Sequence, residues 1–177
     1  MNEGLRFHAT IKQKREVMKN FIDKIQTTII GTLDANNHPF SSYAPYVHNN
    51  NHFYVYISDI ATHAKNIQAN PKASLFFIED ESQSENLFAR KRISLQCDSV
   101  KIARNSERFE EVLALFAQKF DDNMIATLKK MTDFNLFEFK VTYGEATFGF
   151  GKAYLVGGKN MDELVTRGEN NPHHGVK

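Results

Sequence analysis

Cysteine, tryptophan and proline are scarce in this chain: of 177 residues one is cysteine, none is tryptophan and four are proline. The lone Cys97 can form no internal disulfide, so nothing asks for an oxidising compartment and the cytoplasm is the expected location. Charge of one sign is lacking too, since 22 Lys and Arg stand against 21 Asp and Glu for a formal charge of +1. Such a balance leaves no global field to draw the chain to nucleic acid or to an anionic membrane, and any anionic partner has to be met by a local patch. No run approaches the roughly 18 apolar residues of a membrane span. Between Met1 and Lys24, charges at Glu3, Arg6, Lys12, Lys14 and Arg15 interrupt any signal-peptide core.

Aromatic residues are plentiful by contrast, with 15 Phe and six Tyr in a chain that is 41% hydrophobic. That composition folds, and at this length one domain burying about two-thirds of its unfolded surface is the expectation. Seven histidines are the composition's chemical hint: His8, His38, His48, His52, His63, His173 and His174. His48 and His52 flank an Asn-Asn-Asn turn at strand ends, and with a single cysteine in the chain a Cys/His zinc site is not expected.

Apolar spacing at Met18, Phe21, Ile22 and Ile25 predicts a helix over 11–25. Thr27 to Asp34 and Phe40 to His48, separated by a turn at 35–39, read as a hairpin, and His52 to Ser58 as a third strand after Asn49-Asn50-Asn51. Ser58-Asp59 supplies capping side chains to a short helix through Ile60, Ala64 and Ile67 that Asn70-Pro71 ends. The continuous run Leu75 to Ile78 suits a strand buried on both faces. Phe88 to Ile102 reads as a strand whose phase changes near Asp98-Ser99. Phe109, Val112, Leu113, Phe116, Ala117 and Phe120 mark a helix capped by Asn105 or Ser106, and a shorter one follows from Asp121. Extended segments then run from Phe134 towards Val156.

Seven of the nine glycines fall after residue 143, so the C-terminal region is loop-rich. The predicted fold is α+β: one mostly antiparallel split β-barrel over 1–156 with flanking helices, followed by a Gly-rich tail over 157–177. A barrel this small leaves a side to cover, for which a second copy is a plausible partner, giving a homodimer.

Five segments are candidates for a site. In Asn171-Pro172-His173-His174-Gly175 an imidazole can present nitrogen to a metal or haem iron, and neighbouring side chains diverge, so one of the two would ligate. A solvated terminus is the ordinary alternative. His63 and Asn66, three apart on a helix face, can line a pocket or act as surface and capping residues. Arg90-Lys91-Arg92 alternates along a strand, which would put two guanidiniums on one face to grip carboxylates or phosphate; a charged strand edge is the competing reading. Asp133 opens an aromatic strand, where it can hold the second ring nitrogen of a ligating histidine or form a turn. Thr147-Phe148-Gly149-Phe150-Gly151 offers an apolar wall or a bend.

The order of elements adds to this. Thr28 to Leu33 followed by His38-Pro39-Phe40-Ser41-Ser42-Tyr43-Ala44-Pro45-Tyr46, and His52 to Ser58 leading to His63, Asn66 and Asn70-Pro71-Lys72, resemble the pyridoxamine-phosphate-oxidase-like (FMN-binding) split-barrel superfamily. Within it, Arg90-Lys91-Arg92, Gly149 to Tyr154 and the terminal Asn-Pro-His-His look like the HugZ/HutZ family of haem-utilisation proteins. The resemblance covers nearly the whole chain. It implies a homodimeric split barrel that binds haem near the subunit interface, with His173 or His174 as axial ligand, His173 preferred because it follows Pro172. It implies further that His63 and Arg92 line the haem site, that Asp133 tunes the ligand, and that Arg92 holds a propionate.

Haem would then be substrate and cofactor together, opened by oxygen to a biliverdin-type tetrapyrrole, carbon monoxide and iron. No G-x-G-x-x-G fingerprint is present, so electrons would come from an external donor or reductase. Two alternatives stay open. One is an FMN-dependent oxidoreductase on the same barrel, although Thr62-His63 stands before Lys65 where many flavin-binding relatives carry a basic residue for the phosphate. The other is a non-enzymatic haem carrier.

Overall fold

In a computed structural model, residues 3–166 are described, with side chains from residue 13 onward. The helices are α1 (Glu3–Lys24), α2 (Thr62–Ala69), α3 (Glu107–Lys119) and α4 (Asp122–Lys130). The strands are β1 (Thr27–Leu33), β2 (Pro39–Asn49), β3 (His52–Ser58), β4 (Lys72–Ile78), β5 (Arg92–Ile102), β6 (Phe134–Thr147), β7 (Ala153–Gly157) and β8 (Glu163–Thr166). Hydrogen bonds order them β3-β2-β1-β4-β5-β6-β7-β8, and an additional β3–β6 pairing closes the first six into a barrel. The α+β split barrel read from the sequence is the fold observed.

Contacts divide the chain into two compact units. One, made of Gln26–Leu75 and Gln96–Thr142, holds β1 to β3, parts of β4 to β6, and helices α2 to α4. Its hairpins turn where asparagine tolerates the left-handed backbone: Asn37 has φ 63°, Asn50 50° and Asn51 63°. Strand β3 pairs on both edges, with β2 and with β6, and its residues Phe53 to Ile57 are all buried. Helix α3 presents Phe109, Val112, Leu113 and Phe116 to Tyr54, Tyr56 and Leu136. Each such side chain contributes roughly 1.5–3 kcal/mol on burial. Of the two capping residues foreseen for α3, Ser106 does the work, its hydroxyl accepting the Phe109 N–H at 3.2 Å, while Asn105 takes the preceding left-handed turn.

Among the described residues the other unit comprises α1 up to Ile25, Phe76–Leu95, and Tyr143 to Thr166. Helix α1 starts at Glu3, well ahead of the range 11–25 that the apolar spacing marks. Its buried Met18, Phe21 and Ile22 form the inner stripe, and Phe21 meets Phe148 edge-on at 5.4 Å and 86°. Arg15 bonds the Glu163 carboxylate and Lys14 Nζ donates to Thr166 Oγ1 at 2.8 Å, so α1 is fastened to β8. Residues 157–166, read from glycine content as the start of a tail, are instead the turn and second strand of the β7–β8 hairpin. Gly149 (φ 122°) and Gly151 (φ 68°) make the turn between β6 and β7, which leaves Phe150 exposed rather than part of a wall.

Strand β5 carries the phase change expected of it. Ile93, Leu95 and Cys97 are buried, and then Ser99 turns both its N–H (2.8 Å) and its hydroxyl (2.9 Å) to the Pro71 carbonyl, and Val100 faces solvent. The strand begins at Arg92 rather than Phe88, because Asn86 caps a single 3₁₀ turn over Leu87–Ala89.

Candidate functional site

His63 sits in the first turn of α2, in the barrel unit. Its Nδ1 lies 2.7 Å from Ser42 Oγ on β2, and the ring is half-buried. Burial holds the imidazole below its ordinary value of 6.5, so at neutral pH the ring is uncharged. With Nδ1 engaged, Nε2 is the nitrogen that remains to bond a ligand. Asn66, the other half of the pair, is buried, and its Nδ2 donates to Thr32 Oγ1 at 3.0 Å. It ties α2 to β1.

The capping role foreseen for Ser58 and Asp59 is not what they do. The N-cap of α2 is Ala61, without a side-chain bond. Ser58 instead donates its hydroxyl to Asp133 Oδ2 at 2.5 Å and accepts the Ile60 N–H at 3.2 Å. The Asp59 N–H donates to the Asp133 carbonyl at 2.8 Å, and Asp59 Oδ2 accepts from Asn135 at 2.7 Å. Antiparallel pairing of Ser58 with Phe134 brings these groups together. Asp133 is thus a carboxylate fixed through one oxygen by a hydroxyl, a fixed acceptor suited to orienting a ring N–H.

Arg90, Lys91 and Arg92 lie in the other unit and do not form the expected jaw. Arg90 precedes the strand and is spent locally, Nε donating to the Glu79 carbonyl at 3.0 Å and Nη1 to Glu81 at 3.0 Å. Lys91 Nζ pairs with Glu79 at 2.9 Å. Arg92 opens β5 with Nη1 on the Arg90 carbonyl at 2.9 Å, and no carboxylate pairs with it among the described residues. His173 and His174 lie outside the described residues.

Other histidines have structural partners. His48 stacks on Phe53 at 4.4 Å. His52 Nδ1 lies 2.9 Å from Glu138 Oε1, which also accepts the Tyr54 hydroxyl at 2.7 Å, and Arg108 donates to that hydroxyl. Burial and the bond to Glu138 push Tyr54 up to about 12. Burial raises Glu138, and the bonds from Tyr54 and His52 outweigh it to hold the carboxyl below its ordinary value. The sequence reading did not foresee this network, whose members at 52, 54, 108 and 138 share no motif. Cys97 is buried and pushed up to about 12, so it remains a thiol. Among the described residues no group of three or more His, Cys, Asp or Glu is placed to hold a metal ion.

A closed six-stranded barrel extended by a hairpin, with a neutral histidine on its short helix, defines a split-barrel protein. Residues 15–148 match the family described as Pyridoxamine 5'-phosphate oxidase. Among curated proteins, heme oxygenase HutZ of Vibrio cholerae is 37% identical over 148 residues, 84% of each chain. A crystal structure of Vibrio cholerae HutZ, described as the heme storage protein, has a TM-score of 0.73 at 35% identity and covers 77% of this chain and 96% of that one. Campylobacter jejuni ChuZ has a TM-score of 0.79 at 31% identity, over 89% of this chain and 64% of that one. The chain belongs to the pyridoxamine 5'-phosphate oxidase family, and within it to the branch that contains HutZ.

Proposed function

We propose that the chain binds haem and opens its ring oxidatively, as a haem oxygenase that draws electrons from an external donor. The observation that carries this is the 37% identity to a heme oxygenase across 84% of both chains. A porphyrin brings four nitrogens of its own, so haem asks the chain for a single histidine.

His173 is the first choice for that ligand and His174 the second, both in the segment after β8. Asp133, fixed by Ser58, accepts the ligand's second ring N–H and raises its basicity. Arg92 would hold a propionate with its remaining N–H groups, and His63, kept neutral by burial, would line the haem site without adding a charge to it. Bound haem supplies the iron at which oxygen is reduced and the ring that is opened, to a biliverdin-type tetrapyrrole, carbon monoxide and iron. The protein acts as a homodimer in the cytoplasm. Among the described residues no helix is long and apolar enough to cross a membrane.

The two descriptions of HutZ, oxygenase and storage protein, set the second reading: a carrier that holds haem intact. Haemin added to purified apoprotein, then ascorbate in air, separates them. Loss of the Soret band with a biliverdin-like product supports the oxygenase; an unchanged haem spectrum leaves the carrier. Protein that purifies yellow with bound FMN and takes up no haemin contradicts both.

A further inference from the structure

In the unit built on α1 and the β7–β8 hairpin lies a cavity of about 500 Å³, within the roughly 300–1,000 Å³ of small-molecule sites. Its walls are Phe21, Phe148, Tyr154, Val17 and Leu164. Phe148 stands edge-on to Phe21 and 6.4 Å from Tyr154, so the wall is a run of aromatic rings. Four lysines join them in the lining, Lys14, Lys24, Lys91 and Lys152, with Glu79 as its one acidic residue. The chain as a whole carries only +1, so this is a local concentration of positive charge.

Two of the lysines are already engaged. Lys91 pairs with Glu79, and Lys14 bonds Thr166 while lying 5.3 Å from the Tyr154 ring centroid. Lys24 and Lys152 are exposed and have no ion pair among the described residues. An apolar, aromatic chamber flanked by two uncommitted cations matches a ligand with an apolar body and anionic ends: the rings exclude water along the body, and the ammoniums stay hydrated enough to meet carboxylates at little desolvation cost.

We propose that this cavity binds an amphipathic organic carboxylate, its apolar body against Phe21, Phe148 and Tyr154 and its carboxylates on Lys24 and Lys152. None of His63, Arg92 and Asp133 lines it. A ring-opened tetrapyrrole with two propionates belongs to this chemical class, and the assignment stands whether or not the chain makes one.

Biliverdin is the probe, titrated into the full chain and read by absorbance and induced circular dichroism, with biliverdin dimethyl ester as the uncharged counterpart. Saturable binding is expected, weakened about tenfold by the exposed double change Lys24→Glu/Lys152→Glu, since two ion pairs together contribute of the order of 1.4 kcal/mol. Lys24→Gln/Lys152→Gln, which repels nothing, gives a smaller loss in the same direction. Equal binding of acid and ester, or unchanged binding in both variants, would overturn the proposal. Haemin turnover is measured separately: lysine-dependent biliverdin binding by a chain that leaves haemin intact supports the cavity and removes only the oxygenase reading.

Discussion

His63 Nδ1 and Ser42 Oγ, 2.7 Å apart, join the first turn of α2 to strand β2 and hold a half-buried imidazole in its neutral form. The folded chain binds this proton less readily than the unfolded chain does, because burial lowers the imidazole below its ordinary 6.5. Its contribution to stability is therefore complete above pH 6.5 and is lost as pH falls through the lowered folded value. His63→Gln keeps a partner for Ser42 and removes the titration. Urea midpoints compared below and above pH 6.5 should show a smaller acid loss in the variant than in the parent chain; an equal loss in both contradicts the assignment.

Asp133 should matter through its charge. Asp133→Asn keeps the shape and can still bond Ser58, but it is a poorer acceptor for a ring N–H. In the haem-loaded protein this variant is expected to lose about 10–100-fold in haem affinity or in the rate of ring opening, measured by haemin titration and by Soret decay under ascorbate. Parental values for both would remove Asp133 from the account.

The barrel unit rests on a polar network as well as on aromatic packing. Tyr54→Phe removes one of the two partners of Glu138 Oε1, leaving His52, and takes away the acceptor of Arg108 Nη2. A loss of about 1–3 kcal/mol is expected from the urea midpoint. Alkaline titration should show one tyrosine fewer ionising near 12 in the variant, where Tyr54 belongs.

Close packing in the other unit is tested at Gly144. A Cβ there would lie 2.6 Å from Leu95 Cδ2 and 2.8 Å from Val156 Cβ, and the second atom is too near the backbone to swing away. Gly144→Ala should cost about 1–3 kcal/mol, lowering the urea midpoint with an unchanged slope. A parental midpoint would show that the β6–β7 pair can relax.

Much of the fold was legible because its signals are local. The spacing of Phe109, Val112, Leu113 and Phe116 gives α3, and the asparagines at 50 and 51 give the hairpin turn. The site was legible as a set of residue types and not as geometry. Ser58 looks like a helix cap in sequence, yet α2 starts only at Thr62 with Ala61 as its N-cap, and pairing of β3 with β6 brings Ser58 the Asp133 carboxylate from 75 residues away to accept its hydroxyl. Arg90 and Arg92 alternate on paper, but the 3₁₀ turn at Leu87–Ala89 takes Arg90 out of the strand. The cavity lysines at 14, 24, 91 and 152 come from three separate stretches of chain and leave no pattern to read.

The central claim, that a histidine after β8 ligates haem and the bound haem is then opened, is tested most directly by titrating haemin into the parent chain, His173→Ala and His174→Ala, each then given ascorbate in air. The account predicts a Soret band in the parent that decays to a biliverdin-like spectrum, with both the band and its decay lost in one of the two variants, His173→Ala first. Haem binding and decay at parental levels in both variants would contradict it.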